Sequence, residues 1–150
     1  MRSIKKILVP TDFSPAADEA FQVAQAIAKA MGASMTVFHV ALPPAFMTAD
    51  GKVVADASSD DGKNLWDDMR KIQPEDSSIR VEHQIIVAKK SDAAHILEII
   101  DNLGGDLIVM GATGRSGLKH MLFGSLAENV VQKASCPVMV VKARAGAKSD

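Results

Sequence analysis

Short apolar runs alternate with amphipathic segments along almost the whole of this chain. Five of the runs have the length and character of buried strands, and they occupy residues 4–9, 35–40, 79–87, 106–110 and 138–141. Between them, apolar residues recur at spacings of three and four, which is the period of a helix with one buried face. Such an alternation predicts an α/β fold, in which helices cover both faces of a parallel sheet.

Capping residues mark the ends of the predicted helices. The first helix is expected to begin at the cap Ser14, with a proline in its first position and a glycine after its end. A second helix is predicted over residues 59–72, and a third between the cap Ser91 and Gly104. Residues 41–54 carry two prolines and a glycine without a steady period, which indicates a long surface loop.

The composition indicates a single folded domain and excludes several classes of function. Of the 150 residues, 47% are hydrophobic, so the chain can bury a core without disulfides. The net charge of −1 and the aromatic content of 4% give no basis for binding nucleic acid, and no such partner is expected. No apolar run approaches the roughly 18 residues of a membrane span. The single cysteine, Cys136, fits a reducing compartment, and we expect a cytoplasmic protein without membrane association.

A stretch rich in glycine, residues 111–125, follows the fourth apolar run and leads into the last predicted helix. Glycines let backbone N–H groups approach an anion closely, and a helix N-terminus adds unpaired donors and a favourable dipole. The stretch is therefore suited to hold phosphate. It matches neither a P-loop nor a dinucleotide-binding fingerprint. Its pattern is Gly111, two residues, Gly114, nine residues, Gly124 and then Ser125.

This spaced pattern resembles the nucleotide-binding motif of the universal stress protein family, in its ATP-binding branch. The flanks carry the same resemblance: residues 6–14 are similar to the family's first strand and turn, residues 38–40 to the end of its second strand, and residues 135–141 to its close. The resemblance implies one doubly wound domain over residues 1–142, with a five-stranded parallel sheet in the order 3-2-1-4-5. Residues 143–150 would then form a flexible tail.

In that order the path of the chain across the sheet reverses between strands 1 and 4. Open α/β sheets bind ligands at the carboxyl ends of strands at such a point. The turn after strand 1 carries Asp12, and the loop after strand 4 begins at Gly111. The resemblance implies that Gly111 and Gly114 bring backbone N–H groups up to the phosphates and the ribose. It implies that Gly124 lets the second half of the loop pass close to the phosphates.

Two residues at the start of the last helix complete the predicted phosphate site. The Ser125 hydroxyl and the Leu126 N–H are the expected donors. Ser125 also forms a capping box with Glu128, in which its hydroxyl accepts from the backbone of the helix, and one hydroxyl can do both. Arg115 and Lys119 place positive charge in the loop, either to screen the phosphates or as a solvated face.

The residues before the first helix and at the end of strand 2 are expected to hold the nucleoside. Asp12 matches an acidic residue of the family near the nucleoside, where a carboxylate can accept from ribose hydroxyls or join a metal's shell through water. The alternative is a turn former that bonds its own backbone. Pro10, Thr11 and Val40 match positions that line the family's adenine pocket. Met110 belongs either to that pocket or to the core.

The resemblance implies a homodimeric stress-response module that binds ATP or another adenine nucleotide, with Mg²⁺ or Mn²⁺, and signals to an unidentified protein partner. Residues 138–141 would form an apolar edge strand, and pairing with a twofold mate would cover it. The alternatives are a slow ATPase and a dimeric adaptor without nucleotide. We name no catalytic residue, because His120 lacks the paired group that a general base for phosphoryl transfer needs. The other histidines show no metal-ligand spacing.

Overall fold

The computed structural model describes residues 3–43, 45–54, 64–112 and 125–143. Its strands are β1 Lys6–Pro10, β2 Ser34–Ala41, β3 Phe46–Met47, β4 Val53–Val54, β5 Val81–Val87, β6 Leu107–Gly111 and β7 Val138–Val141. Its helices are α1 Pro15–Met31, α2 Leu65–Met69, α3 Ala93–Asn102 and α4 Ser125–Lys133.

Five of the strands form one parallel sheet in the order β5-β2-β1-β6-β7, and β3 and β4 form a separate antiparallel hairpin. Counted along the chain, the strands of the sheet stand in the order 3-2-1-4-5, which confirms the predicted topology. The strands β5 and β7 are its two edges.

Helices cover both faces of the sheet, as predicted. Successive residues of a strand point to opposite faces, and β1 is apolar on both. Ile7 and Val9 pack with α1 and α2, whereas Leu8 packs with α3 and α4. The two cores that result are separated only by the sheet, and β1 is buried between them at its centre.

The first helix begins and ends as predicted. The Ser14 hydroxyl oxygen accepts from the Ala17 N–H at 3.2 Å, and Pro15 occupies the first helical position. After the last turn, Gly32 adopts a left-handed conformation with φ of +67°, and its N–H donates to the Ala28 carbonyl. A residue with a Cβ resists that conformation, so glycine ends the helix.

The prediction of one long loop over residues 41–54 is wrong. Ala41 belongs to β2, and the hairpin of β3 and β4 follows it. Val53 of the hairpin is fully buried and packs with Ala41 and with Leu65 of α2. Two-residue strands are too short to show an alternating pattern, and the contact with a distant helix supplies the stability that the sequence does not reveal.

The second helix is shorter than the predicted span of 59–72. It begins after its cap Asn64, whose side-chain oxygen accepts from the Trp66 N–H at 3.1 Å, and it has only five residues. Residues 59–63 lie outside the described part of the chain. The asparagine cap explains the late start, because its side chain satisfies a backbone donor of the first turn.

The cap of the third helix is Asp92, one residue later than the predicted Ser91. The Asp92 carboxylate accepts from the His95 N–H at 2.8 Å. A carboxylate is a stronger acceptor than a hydroxyl and is favoured by the helix dipole, which explains the choice between adjacent candidates. Gly104 follows the helix in a left-handed conformation, with φ of +69°, as predicted for its stop.

Candidate functional site

The carboxyl ends of β2, β1 and β6 lie side by side at the same end of the sheet. β1 pairs in parallel with β2 on one side and with β6 on the other. The chain crosses from β1 to β2 first and reaches β6 later on the opposite side, so the crevice between them is a topological switch point. Pro10 is the last residue of β1, Val40 the next to last of β2, and Gly111 the last of β6.

The loop between β1 and α1 is held by its own side chains. Thr11 Oγ1 accepts from the Phe13 N–H, and Asp12 Oδ1 accepts from the Ser14 N–H, both at 3.0 Å. Thr11 is buried and Asp12 half-buried. The Asp12 bond is the turn-forming role that the sequence left open. It does not preclude a ligand contact, because an ionised carboxylate has about four acceptor positions.

Phe13 adopts a left-handed backbone conformation, with φ of +65°. Among the described residues other than glycine it is the only one with a positive φ. For a bulky residue this costs about 1–3 kcal/mol, so the surroundings must impose it. The Phe13 side chain packs both against the core beneath α1 and against the cluster beneath the β3–β4 hairpin. Strain of this kind concentrates at binding sites.

The backbone of Val40 faces the end of β1. The Ser34 N–H donates to the Lys5 carbonyl, so the even-numbered residues of β2 face β1. The Met35 N–H donates to the Arg80 carbonyl, so the odd-numbered residues face β5. The pairing of β1 with β2 ends at Pro10. The N–H and C=O of Val40 therefore point together into the space beyond the last residue of β1.

Gly111 is in close contact with the first turn of α1. A Cβ placed on Gly111 would lie 2.8 Å from the backbone carbon of Ala16 and 2.9 Å from its Cβ. The glycine thus lets α1 approach the end of β6, which brings the loop that carries Asp12 beside the carboxyl end of β6. This packing role was not predicted, and it is independent of any role in binding phosphate.

The far side of the predicted phosphate loop is only partly described. Ser125 and Leu126 are the first two residues of α4, although their side chains lie outside the described part of the chain. Four further residues lie wholly outside the described part of the chain, namely Gly114, Arg115, Lys119 and Gly124. The predicted capping box of Ser125 and the roles of these residues therefore stay predictions.

Met110 is buried in the core beneath α3 and α4, with an exposed fraction of 5%. The sequence left it between core and pocket, and the structure gives it a core position. Cys136 is half-buried at the edge of the same cluster.

Negative charge gathers beside the crevice at the start of α1. Burial raises the pKa of the Asp18 carboxyl above its usual value, and the nearby charges of Asp12 and Glu19 raise it further. Repulsion of this kind favours a cation or a hydrogen-bond donor near these carboxylates. Within the described ranges, no group of three or more histidine, cysteine, aspartate or glutamate side chains is arranged to hold a metal ion.

His39 lies in this site but was not among the predicted residues. Its Nδ1 is 2.7 Å from the Thr11 carbonyl oxygen, and because a carbonyl only accepts, Nδ1 carries the proton. One hint was present in the sequence, namely the position of His39 next to Val40. The sequence held no hint of the strain at Phe13, because phenylalanine is not a residue type that predicts a left-handed backbone.

The structure brings the turn of Asp12 and the residue Gly111, which belong to the two parts of the resemblance, to one end of the sheet. Comparison with known proteins establishes the family. The family model described as "Universal stress protein family" matches residues 3–142. The chain belongs to the universal stress protein family. This confirms the family inferred from the glycine pattern and its flanks.

Two curated members from Methanocaldococcus jannaschii are similar over most of the chain. Universal stress protein MJ0531 is 33% identical, over 92% of this chain and 82% of its own. Universal stress protein MJ0577 is 30% identical, over 92% and 94%. The solved structure of MJ0577 has a TM-score of 0.71 at 29% identity, over 95% of this chain and 99% of its own.

A further universal stress protein, solved in complex with cAMP, has a TM-score of 0.68 over 95% of this chain and 100% of its own. It is 20% identical, so this likeness is one of fold. The two solved structures share the fold of this chain, which is a single α/β domain with a five-stranded parallel sheet.

Proposed function

We propose that this chain is an ATP-binding, homodimeric universal stress protein that signals through its nucleotide state. One observation carries the proposal, namely that three features lie together at one switch point. They are the loop of Asp12, the N–H and C=O of Val40, and the contact of Gly111 with α1. The fold neighbour solved with cAMP supports an adenine nucleotide as the ligand class.

The backbone of Val40 suits the edge of adenine. Adenine presents an acceptor, N1, beside a donor, N6, and one residue whose N–H and C=O point the same way matches both. Guanine presents the reverse arrangement at these two positions, so the same pair favours adenine. Pro10 and Thr11 would form the wall beside the base, and Met110 would contribute through the core that supports it.

The carboxylate of Asp12 would accept from the ribose hydroxyls. Its bond to the Ser14 N–H fixes its direction in advance, so little conformational freedom is lost when a ligand binds. With a triphosphate, Mg²⁺ or Mn²⁺ would be held mainly by phosphate oxygens, and Asp12 would reach the ion through water.

The phosphates would lie between the end of β6 and the start of α4. Backbone N–H groups of the glycine loop and of the helix terminus would bind the oxygens, and positive charge in the loop would screen them. The residues assigned to this role are Gly111, Gly114, Arg115, Gly124, Ser125 and Leu126.

We further propose that two copies pair through β7. This strand is an edge of the sheet, and its four residues are Val138, Met139, Val140 and Val141, with Met139 39% exposed. An uncharged edge of this kind favours pairing with a second strand. The opposite edge, β5, carries the exposed Glu82, which opposes pairing there.

We assign the protein to the cytoplasm, where its single cysteine would stay reduced. Among the described residues, none of the helices combines the length and the apolar character needed to cross a membrane.

Calorimetric titration with MgATP tests the binding site. We expect the wild type to bind, and Asp12→Asn, which keeps the bond to Ser14 but loses the charge, to raise Kd about tenfold or more. Asp76→Asn is the matched control, because Asp76 Oδ1 accepts from the Ser78 N–H at 2.9 Å in the same kind of turn, outside the crevice. Its Kd should equal that of the wild type.

Mass spectrometry of an extract of the purified protein adds a second measure, since a bound adenine nucleotide would be released. If the extract holds none and millimolar ATP does not bind, the proposal is wrong and the adaptor without nucleotide is favoured. Brisk ATP turnover that is lost in Gly114→Val would instead show an enzyme.

Light scattering on a sizing column tests the dimer. Met139→Lys should convert it to a monomer, because its charge would lie in the apolar contact between the two copies. Glu82→Lys, on the other edge, should leave the mass unchanged. A wild type that stays monomeric at high concentration would refute the pairing but not nucleotide binding.

A further inference from the structure

The Thr11 carbonyl has an unusual partner for a residue that directly follows a strand. The Thr11 N–H continues the β1–β2 ladder by donating to the Phe38 carbonyl at 2.8 Å. In a regular parallel ladder the next bond would run from the Val40 N–H to the Thr11 carbonyl, because both face the same gap. The carbonyl accepts from His39 Nδ1 instead, and between these described residues no backbone bond joins Val40 to Thr11.

The imidazole is anchored in the position that this bond requires. Its centroid is 5.0 Å from that of the Phe13 ring, and the ring planes are inclined by 39°. Phe13 in turn donates from its N–H to Thr11 Oγ1. The His39 side chain therefore packs against one residue of the β1–α1 loop and bonds another, so that it fixes both the ring and the carbonyl.

We propose that His39 is a positioning residue, which takes the Thr11 carbonyl and thereby leaves the Val40 N–H directed at the crevice for the acceptor nitrogen of adenine. The inference rests on the proposed function for its ligand. The competition between His39 and Val40 for one carbonyl, however, is a property of the chain alone. Without the imidazole donor, the carbonyl turns to the nearest main-chain donor, and the ladder closes by one further bond.

Three substitutions separate the parts of this arrangement. His39→Phe removes the donor but keeps a ring beside Phe13. His39→Asn drops the ring but keeps a donor nitrogen as many bonds from Cα as Nδ1. The control is His83→Phe, because His83 Nε2 makes the same kind of bond, to the Ile72 carbonyl at 2.6 Å, on β5 instead of at the switch point.

Titration with MgATP and MgGTP gives the first result. We expect His39→Phe to raise Kd for ATP roughly tenfold, the worth of one hydrogen bond, and to reduce the preference for ATP over GTP by a similar factor. His39→Asn should recover most of the affinity. His83→Phe should lower the melting temperature at most, with both Kd values unchanged. A loss of affinity shared by His83→Phe, or not recovered by His39→Asn, would contradict a positioning role.

Amide exchange followed by NMR gives a second result that needs no nucleotide. In the wild type the Val40 N–H should exchange at least tenfold faster than the Phe38 N–H, which the ladder holds. In His39→Phe it should become protected. Equal protection of Val40 and Phe38 in the wild type would overturn the inference, even if His39→Phe did not fold. If the wild type fails to bind ATP, the proposed function is wrong, yet this exchange still decides the role of His39.

Discussion

The amino and carboxyl ends of the central strands β2, β1 and β6 differ in the contacts that their main-chain groups make. At the amino end, the Asp106 carboxylate accepts from the N–H groups of Lys5 and Lys6 at 2.9 and 3.0 Å, and the Lys6 ammonium donates to the Leu103 carbonyl at 2.5 Å. Gly105 packs directly against the buried Leu8 there. The main-chain donors at this end are thus bound by partners within the chain.

At the carboxyl end, by contrast, main-chain groups point away from the sheet and the backbone is strained. The Val40 N–H and C=O face the space beyond β1, and Phe13 keeps a left-handed conformation. Both would be costly in a segment that served stability alone. The amino end thus holds the sheet together, whereas the carboxyl end is arranged to bind something else.

Substitution of two glycines, one at each end of the sheet, should have the strongest effect. Gly111→Ala places a Cβ 2.8 Å from the Ala16 backbone, and Gly105→Ala places one 2.4 Å from Leu8 Cγ. Each should lower the free energy of unfolding by about 1–3 kcal/mol through overpacking. Only Gly111→Ala, which displaces the start of α1, should also weaken ATP binding. Urea unfolding and titration measure the two effects, and equal Kd values for both variants would show that the two ends of the sheet do not differ in ligand binding.

A smaller effect is expected from the carboxylate at the amino end. Asp106→Ala removes the acceptor of two backbone N–H groups and should cost about 1 kcal/mol of unfolding free energy, because water replaces part of the loss. Asp106→Asn keeps an acceptor oxygen and should cost less. Neither should change Kd for ATP. Urea unfolding of the two variants checks the order, and equal costs would show that the charge of Asp106 matters more than the two bonds.

The smallest effect concerns the pH dependence of stability at the carboxyl end. The pKa of the Asp18 carboxyl is raised in the folded chain, so its charged form is disfavoured there. The contribution of this carboxyl to the free energy of unfolding is therefore fully present below the unfolded pKa near 4. It is lost as the pH rises through the raised pKa of the folded chain. Asp18→Asn should gain less than about 1 kcal/mol at pH 7, since the group is largely exposed.

Melting temperatures of the wild type and of Asp18→Asn across pH 4 to 7 measure this effect. The gain should shrink as the pH falls towards 4. A gain that is constant with pH would show that the substitution acts through the helix cap and not through the charge.

Much of the fold followed from local patterns. The five strands of the sheet and both ends of α1 were predicted, because apolar period, caps and glycine stops act over a few residues. The order of the strands came from the family resemblance. The hairpin of β3 and β4 was missed, since Val53 is stabilised by a contact with Leu65 that no local pattern encodes.

The site divides in the same way. Asp12, Val40 and Gly111 were recognised as candidates from motif and flanks, and the fold brings them to one edge. The sequence could not show that Gly111 contacts Ala16, nor that His39 bonds Thr11 across 28 positions of the chain. The first contact depends on how closely α1 packs on the end of β6, and the second depends on where β1 ends along β2.

The fold class, the family and the neighbourhood of the crevice could be read from the order of residues, because periodicity, caps and spaced glycines are local patterns. Which main-chain groups face that crevice depends on the three-dimensional arrangement of the strands. β1 ends at Pro10 while β2 continues to Ala41, and a side chain of β2 takes the carbonyl that the ladder would have used. Hydrogen-bond partners are assigned by proximity in space, which the order of residues does not state.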